Sequence, residues 1–386
     1  LMTIYYELGF LYQRQGDFEK AKHYLSEYLS QVEDKDTMEY CIVLQEVARI
    51  NQLKGNLEEA EACLLKALGI AVKQVGEDDY ETGLIYNELG HIYLKRRMYK
   101  EALEFYETCQ RIIKQSGGED SRDMMILDGN AAEALYMLGR FDEARIYNED
   151  ALRIEEKLQL EISNESVANN SRMGFILHWQ GDPQALGYVV KAYELATQIP
   201  GNNNILILQC LGKLGMIYHM SGDYAKAKEC YSKAIERAKE TENPVGPEFS
   251  FLYFNMGNLC ADLEHWKEAL EYHEIAYEAS QNDGDPYMTN DINLSIGLCK
   301  QRLGRPKEAI EHYRNYIDNL MEMKIPNRLA YMNCLKLLTE LHIENNGMEK
   351  AKEAINRVEE FFKEMNVPTD SQADSILLDI KSKLSE

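Results

Sequence analysis

The sequence predicts an all-α solenoid, a fold in which helix pairs stack on their neighbours instead of forming one globular core. A pattern of small, apolar and alanine positions recurs nine times along the 386 residues. The interval between successive alanine positions runs from 39 residues (Ala21 to Ala60) to 42 residues (Ala60 to Ala102). Glycine and proline are sparse within the predicted helices. Together these observations favour tandem repeats of one supersecondary unit.

Each copy of the pattern places a small residue first, an apolar residue nine positions later and alanine three positions after that. The clearest copy is Gly215, Tyr224 and Ala227. Six other copies follow it: Gly9/Phe18/Ala21, Ala48/Leu57/Ala60, Gly90/Tyr99/Ala102, Ala132/Phe141/Ala144, Gly257/Trp266/Ala269 and Gly297/Pro306/Ala309. Two copies depart from it: Gly174/Pro183/Leu186 replaces the alanine, and Thr339/Met348/Ala351 begins on threonine.

Each repeat is predicted to be two amphipathic helices joined by a tight turn. In the third repeat, apolar residues at helical spacing predict helices over Tyr80–Lys95 and Tyr99–Lys114. The turns contain glycines that can adopt a left-handed conformation and end the first helix: Gly16, Gly55, Gly139 and Gly222. The residue after the turn glycine is expected to cap the second helix in three copies, at Asp17, Asn56 and Asp223.

The small residues are expected to let the two helices of a repeat approach closely. Ala102 on the second helix faces back across the contact made by Gly90 on the first. A larger side chain at Ala102 should therefore overpack the pair.

These residues resemble the tetratricopeptide repeat. The family's Leu-Gly, Tyr, Gly-Asp-Tyr and Ala positions are matched by Leu214, Gly215, Tyr218, Gly222, Asp223, Tyr224 and Ala227. The usual unit has 34 residues, and the longer spacing here is similar to the subclass found in kinesin light chain-type adaptors. The resemblance implies a right-handed superhelical solenoid of nine repeats over residues 1–367, with the first helix of each pair lining the concave groove. A lone amphipathic helix in residues 368–386 is expected to cap the end.

Composition limits the function classes. With 65 acidic and 42 basic residues the net charge is −23, so direct nucleic-acid binding is not expected. No signal peptide or membrane-spanning run is evident, and no membrane insertion is expected. The eight cysteines contain no Cys-x-x-Cys pair and fall mostly on apolar stripes. A reducing, cytoplasmic location is therefore expected.

The resemblance places a candidate peptide-binding site on the concave groove, at positions two before and one after each small residue. Amide side chains there can pair with a peptide backbone, and cations can hold a carboxylate. The proposed peptide-binding residues are Asn130, Arg172, Phe175, Lys213, Met216, Phe254, Asn255 and Asn258. A secondary acidic groove is expected from Glu7, Glu46, Glu88 and Glu133, which could attract a basic segment. An ordinary solvated groove is the alternative to both.

No catalytic or metal-binding constellation emerges from the sequence. His273-Glu274 begins like a zinc-protease motif, but Tyr277 stands where the second histidine is needed. No phosphate-binding glycine loop or dinucleotide fingerprint is found. We therefore expect no catalytic residues, no metal and no cofactor, and a protein that is not an enzyme.

The leading prediction is an interaction scaffold or adaptor that binds a peptide segment or partner helix in the groove. The alternative is a peptide-sensing regulatory module of a larger signalling protein, similar to bacterial quorum sensors. Because Met2 already lies in a predicted helix without a polar cap, we expect a further segment upstream of Leu1. Exposed apolar residues of that first helix, such as Leu8 and Leu11, also permit self-association.

Overall fold

The computed structural model describes residues 2–200, 204–239, 247–281, 285–325 and 327–384. Within these ranges every regular element is an α-helix, nineteen in all. No helix among them is long and apolar enough to cross a membrane. The predicted all-α class is confirmed, and within each unit consecutive helices pair as the repeat pattern requires.

The chain forms two compact units, residues 1–217 and 218–386. The first unit contains α1 (Met2–Arg14), α2 (Phe18–Gln31), α3 (Met38–Leu53), α4 (Leu57–Gln74), α5 (Tyr80–Lys95), α6 (Tyr99–Gln115), α7 (Arg122–Met137), α8 (Phe141–Leu158), α9 (Asn164–Trp179), α10 (Ala185–Gln198) and most of α11 (Asn204–Met220). The observed α5 and α6 match the two helices predicted for the third repeat, with α6 one residue longer.

The second unit contains α12 (Tyr224–Lys239), α13 (Pro247–Asp262), α14 (Trp266–Ser280), α15 (Pro286–Arg302), α16 (Pro306–Glu322), α17 (Arg328–Glu344), α18 (Met348–Glu364) and α19 (Ser371–Lys383). The predicted terminal helix is α19, although residues 385 and 386 lie outside the described residues. It packs on the last repeat, and Leu377 and Ile380 are buried there. Lys383 Nζ also lies 3.3 Å from Glu340 Oε1 of α17.

The helix ends follow from the turn residues. Gly16, Gly55 and Gly222 have φ between 77° and 79°, a left-handed conformation that costs glycine little. Asp17 and Asp223 cap their helices, each accepting a 3.2 Å hydrogen bond from a backbone N–H three residues later.

The expected cap at Asn56 is wrong, because its side chain makes no capping hydrogen bond. The helix that follows carries Glu58 and Glu59 in its first turn instead. Carboxylates at that end interact favourably with the positive end of the helix dipole. The N-terminus of α4 is therefore not capped by the Asn56 side chain.

The small residues provide the close helix contacts. A Cβ built on Gly90 would lie 2.5 Å from Tyr106 Cε1, and one on Gly297 would lie 2.8 Å from the same atom of Tyr313. In both repeats the ring that covers the glycine comes four residues after the buried alanine, Ala102 or Ala309. The glycines therefore have the expected packing role. The aromatic ring four residues after the alanine fills the space that each glycine leaves.

The fifth repeat differs from the predicted pattern. Ala185, not Leu186, occupies the buried small position, 11 residues after Gly174 where the other copies have 12, and α10 begins at this alanine instead of three residues before it. A Cβ on Gly174 would lie 2.9 Å from the carbonyl oxygen of Ala185 and 2.3 Å from Val189. The alanine is therefore retained in this repeat, one residue closer to the small residue than in the other copies.

The cysteines lie where the sequence placed them. Seven are buried, Cys63 is partly buried, and all eight are free thiols. Each therefore packs as a small apolar side chain. On α1, by contrast, Ile4 and Leu11 are about half exposed.

Candidate peptide-binding surface

The first helices of the first unit present a continuous surface, here called the first-helix face. It comprises the residues two before and one after each small residue in repeats 1 to 6. Side chains from consecutive repeats meet on it: Arg172 Nη2 of α9 lies 2.9 Å from Glu133 Oε2 of α7. Asn130 Nδ2 of α7 donates a 3.2 Å hydrogen bond to Asn87 Oδ1 of α5. Positions about 42 residues apart are thereby adjacent.

Arg172 lies at the centre of a polar network. Its side chain is only 10% exposed, while that of Glu133 is 47% exposed. Its guanidinium also donates to Asn169 Oδ1 at 2.8 Å and to Asn148 Oδ1 at 3.3 Å. Burial opposes ionisation of Glu133, but the Arg172 charge outweighs it and holds the pKa of Glu133 below its ordinary value. Arg172, predicted as a ligand contact, is thus already engaged by the protein.

Gly129 of α7 makes room for this network. A Cβ built on it would lie 2.6 Å from Asn169 Oδ1 and 3.2 Å from Arg172 Nη1. The absence of a side chain at this position therefore allows the polar groups of α9 to approach α7. The guanidinium is held in one place by contacts from three helices.

Lys213 of α11 is the second predicted cation, and its situation differs. The side chain is half-buried, yet its ammonium forms no ion pair or hydrogen bond with the residues that the structure describes. Burial lowers the pKa of Lys213, and the nearby charge of Glu133 opposes that shift. An ammonium held in a partly desolvated place without a close anion is energetically costly unless a ligand or solvent satisfies it.

The residues of the predicted acidic groove also differ in whether they have partners within the protein. Glu46 is occupied, because it accepts a 2.5 Å hydrogen bond from Gln13 Nε2 and pairs with Arg49 of its own helix. Glu88 is half-buried and has no hydrogen bond or ion pair among the described residues. Burial, reinforced by the charge of Glu46, raises the pKa of Glu88 to about 7. Glu7 is exposed on α1.

Two predicted apolar contacts differ in accessibility. Phe175 is 9% exposed and packs edge-on against Tyr136 with ring centroids 6.4 Å apart, so it offers a ligand little surface. Met216 of α11 is partly buried, in the same repeat as Lys213.

The remaining predicted residues belong to the second unit, on α13. Phe254 is partly buried, with its ring centroid 5.5 Å from that of His273. Asn255 is buried and donates to the carbonyl of Phe251 at 2.7 Å within its own helix. Asn258 is half-buried and forms no hydrogen bond with the residues described. Asn258 therefore has the amide that is available for a ligand backbone.

Sequence reasoning missed Asn148 and Asn169, which hold Arg172 in place. Asn148 is fully buried four residues after Ala144, the position that carries Leu25 or Tyr106 in other repeats. The sequence does carry a sign of this role, because Asn148 places an amide at a repeat position that is apolar in other repeats. Its Nδ2 donates to the backbone carbonyl of Asn169 at 2.9 Å, so it joins α8 to α9.

The raised pKa of Glu88 predicts a pH effect on stability. Between pH 4.5 and 7 the folded chain keeps a proton on Glu88 that the unfolded chain has released, so the free energy of unfolding falls as pH rises through this window. Glu88→Gln removes that penalty. We expect the variant to be more stable by about 1–3 kcal/mol at pH 8 and unchanged below pH 4.5 in urea denaturation.

The matched control is Glu104→Gln, which changes an exposed carboxylate on α6. Its stability should follow the parent chain at every pH. Identical pH profiles for the two variants would contradict the placement of Glu88.

No group of three or more His, Cys, Asp or Glu side chains within the described ranges is arranged to hold a metal ion. The polar groups of the first-helix face are carboxylates, two guanidinium groups, one ammonium, one imidazole and one amide. Their chemistry is suited to hydrogen bonding and charge pairing with another chain.

Comparison with known proteins agrees with the fold. Tetratricopeptide repeat family models match residues 1–71, 39–115, 81–157 and 165–240, and a further one matches residues 252–287. Kinesin light chain-related protein 3 of Arabidopsis thaliana is 27% identical over 267 residues, which are 68% of this chain and 40% of that protein. The chain spans about two fifths of the length of the curated relatives first matched. The expected similarity to kinesin light chain-type proteins is thereby confirmed.

Solved structures share the fold at low sequence identity. A Rap protein complexed with competence and sporulation factor has a TM-score of 0.63 at 16% identity, covering 95% of this chain and 98% of that chain. The apo quorum sensor NprR from B. thuringiensis has a TM-score of 0.56 at 15% identity, covering 94% and 97%.

Tetratricopeptide repeat proteins generally mediate protein–protein interactions and are typically non-enzymatic scaffolds. Here the matched family models cover well over half of the residues, and the helix pairs, turn glycines and buried alanines are those that the repeat requires. This chain belongs to the tetratricopeptide repeat family.

Proposed function

We propose that this chain is an interaction scaffold or adaptor that binds an extended peptide segment of a partner protein along the first-helix face. The observation that carries the proposal is the ammonium of Lys213, which is half-buried without an ion-pair partner near the paired Glu133 and Arg172. A carboxylate from a partner would complete it. The partly buried Met216 in the same repeat offers an adjoining apolar contact.

The fold favours this mode of binding. Rigid helix pairs present preformed side chains, so the partner loses conformational freedom but the scaffold loses little. The amide side chain on this face, that of Asn130, can donate to or accept from a peptide backbone of any sequence. Few groups of the scaffold would then recognise particular side chains of the peptide. The affinity would be the sum of several modest contacts.

A photo-crosslinking experiment tests the proposal. Benzoylphenylalanine at position 216 of the full chain, irradiated in a lysate of the source cells, should give adducts that mass spectrometry assigns to partner peptides. The same group at position 191, an exposed site on the second helix of repeat five, is the matched control. We expect adducts at position 216 to fall at least tenfold when Lys213→Met is added.

Equal adduct yields at positions 216 and 191 would contradict binding on this face. So would yields at position 216 that do not respond to Lys213→Met. Excess unlabelled chain should compete away the adducts if one saturable site is responsible.

A peptide-sensing regulatory module is the second candidate. It is favoured by the similarity over 94–95% of this chain to a Rap protein solved with competence and sporulation factor and to the quorum sensor NprR. Amide hydrogen exchange of this chain, measured with and without the partner segment identified by crosslinking, distinguishes the two candidates. A sensor should change protection in both units on binding, whereas an adaptor should change it only near the contact residues.

A further inference from the structure

The charges on the first-helix face are not evenly available to a ligand. In the middle, Glu133 and Arg172 neutralise each other at 2.9 Å, and two asparagines accept further hydrogen bonds from the guanidinium. Glu46 is likewise occupied by Arg49. An incoming charged group would have to break these contacts, so the centre of the face presents no free charge.

Four ionisable groups on this face, Glu7, Glu88, His91 and Lys213, form no hydrogen bond or ion pair with the described residues. Glu7 is exposed, and burial lowers the pKa of His91, which favours its neutral form. Glu88 lies on α5 in repeat three, and Lys213 lies on α11 in repeat six. The side chains of Glu88 and Lys213 are half-buried. Partly desolvated charges are normally paired within a protein, because an unpaired one costs free energy that a partner of opposite sign would recover. Glu88 and Lys213 are therefore a half-buried acid and a half-buried base on the first-helix face that a ligand of opposite charge could satisfy.

The distance between Glu88 and Lys213 determines how long a peptide must be to reach both. Repeats three and six are three steps apart along α5, α7, α9 and α11, and packed helices lie about 8–10 Å apart. The axes of α5 and α11, which carry the two groups, are thus roughly 25–30 Å apart. An extended chain advances about 3.3 Å per residue, so this distance corresponds to roughly seven to ten residues.

We propose that the first unit selects an extended peptide that carries a basic side chain opposite Glu88 and an acidic group opposite Lys213, about seven to ten residues apart. The inference rests on the proposed peptide-binding function and specifies its ligand. Residues between the two charges face the neutralised centre, where Asn130 and its neighbours contact backbone more readily than charge. The ligand is consequently dipolar instead of simply acidic or simply basic.

Alternative ligands fit the observations less well. A purely acidic peptide would place a negative group near Glu88, and a purely basic one would place a positive group near Lys213. Either would meet like charge at one end of the face, which disfavours binding. Opposite charges at the two ends let one peptide satisfy both groups.

A random dodecapeptide display library panned against the full chain tests the inference. Selected sequences should be enriched about tenfold or more in opposite charges seven to ten positions apart, because a charge-assisted hydrogen bond commonly changes affinity tenfold to a hundredfold. Panning against Glu88→Gln should lose the basic requirement alone. Panning against Lys213→Met should lose the acidic requirement alone, and Glu88→Lys/Lys213→Glu should reverse the order of the charges.

The exposed substitutions Glu104→Gln and Lys191→Met are the matched controls and should leave the selected pattern unchanged. Enrichment of peptides without a spaced charge pair, or patterns that ignore Glu88 and Lys213, would overturn the inference while leaving peptide binding intact. No enrichment above an unrelated helical protein would instead refute the proposed function. Circular dichroism of each variant establishes that its helices are retained.

Discussion

Ala102→Leu is expected to destabilise the first unit by about 1–3 kcal/mol. Ala102 is fully buried on α6, where the small residues of the third repeat let its two helices approach. Gly90 of α5 is already covered by the ring of Tyr106 at a distance that leaves no room for a methyl group. Three added carbons at Ala102 must therefore push α5 and α6 apart or force a strained rotamer.

Urea denaturation followed by circular dichroism measures this change as a lower midpoint. Ala62→Leu is the matched control, because Ala62 is exposed on the second helix of the neighbouring repeat. That variant should be within about 0.5 kcal/mol of the parent. Equal stabilities for the two leucine variants would contradict the assignment of the alanine to the helix contact.

Arg172→Met is expected to destabilise the first unit by about 2 kcal/mol at pH 7, because it leaves Glu133 ionised without its close cation. The cost is below that of a fully buried pair, since the Glu133 side chain is 47% exposed. The same substitution also leaves Asn169 and Asn148 without the guanidinium they accept from. Methionine keeps much of the side-chain volume.

The effect should depend on pH with a definite sign. Arg172 holds the pKa of Glu133 below 4.5, and the stability that the pair contributes is present above this value and lost as pH falls through the folded-state pKa. The difference between the parent and Arg172→Met should therefore shrink below pH 4.5. The double variant Arg172→Met/Glu133→Gln should recover part of the loss at pH 7, and a double variant no more stable than Arg172→Met would contradict the pairing.

The occupied state of Arg172 changes how charge variants of this surface are interpreted. Substitutions at Arg172 alter both the charge of the face and the internal network, so a loss of binding there has two causes. Lys213 and Glu88 have no such internal partners among the residues described. They are the positions at which a binding defect reports on the ligand.

Periodicity specified the repeats because their packing is local. Each helix pair buries its apolar side against its neighbours, so a small residue, a turn glycine and an alanine at constant spacing suffice to predict where helices begin and end. The observed bounds of α5 and α6 follow the prediction within one residue. The exception at Ala185 arose because an alanine one residue nearer to Gly174 fills the buried position, and a pattern of constant spacing does not detect it.

The amino-acid sequence by itself determined the fold family and the bounds of the helices in the third repeat, and it named the candidate residues of the first-helix face. Only the tertiary structure decided which of those residues are free. Arg172 and Lys213 occupy equivalent repeat positions, yet one is bound by Glu133 and two asparagines and the other is not. The physical reason is that pairing depends on side chains 24 to 39 residues away in the chain, brought within 3.3 Å by stacking, and repeat position carries no information about such contacts.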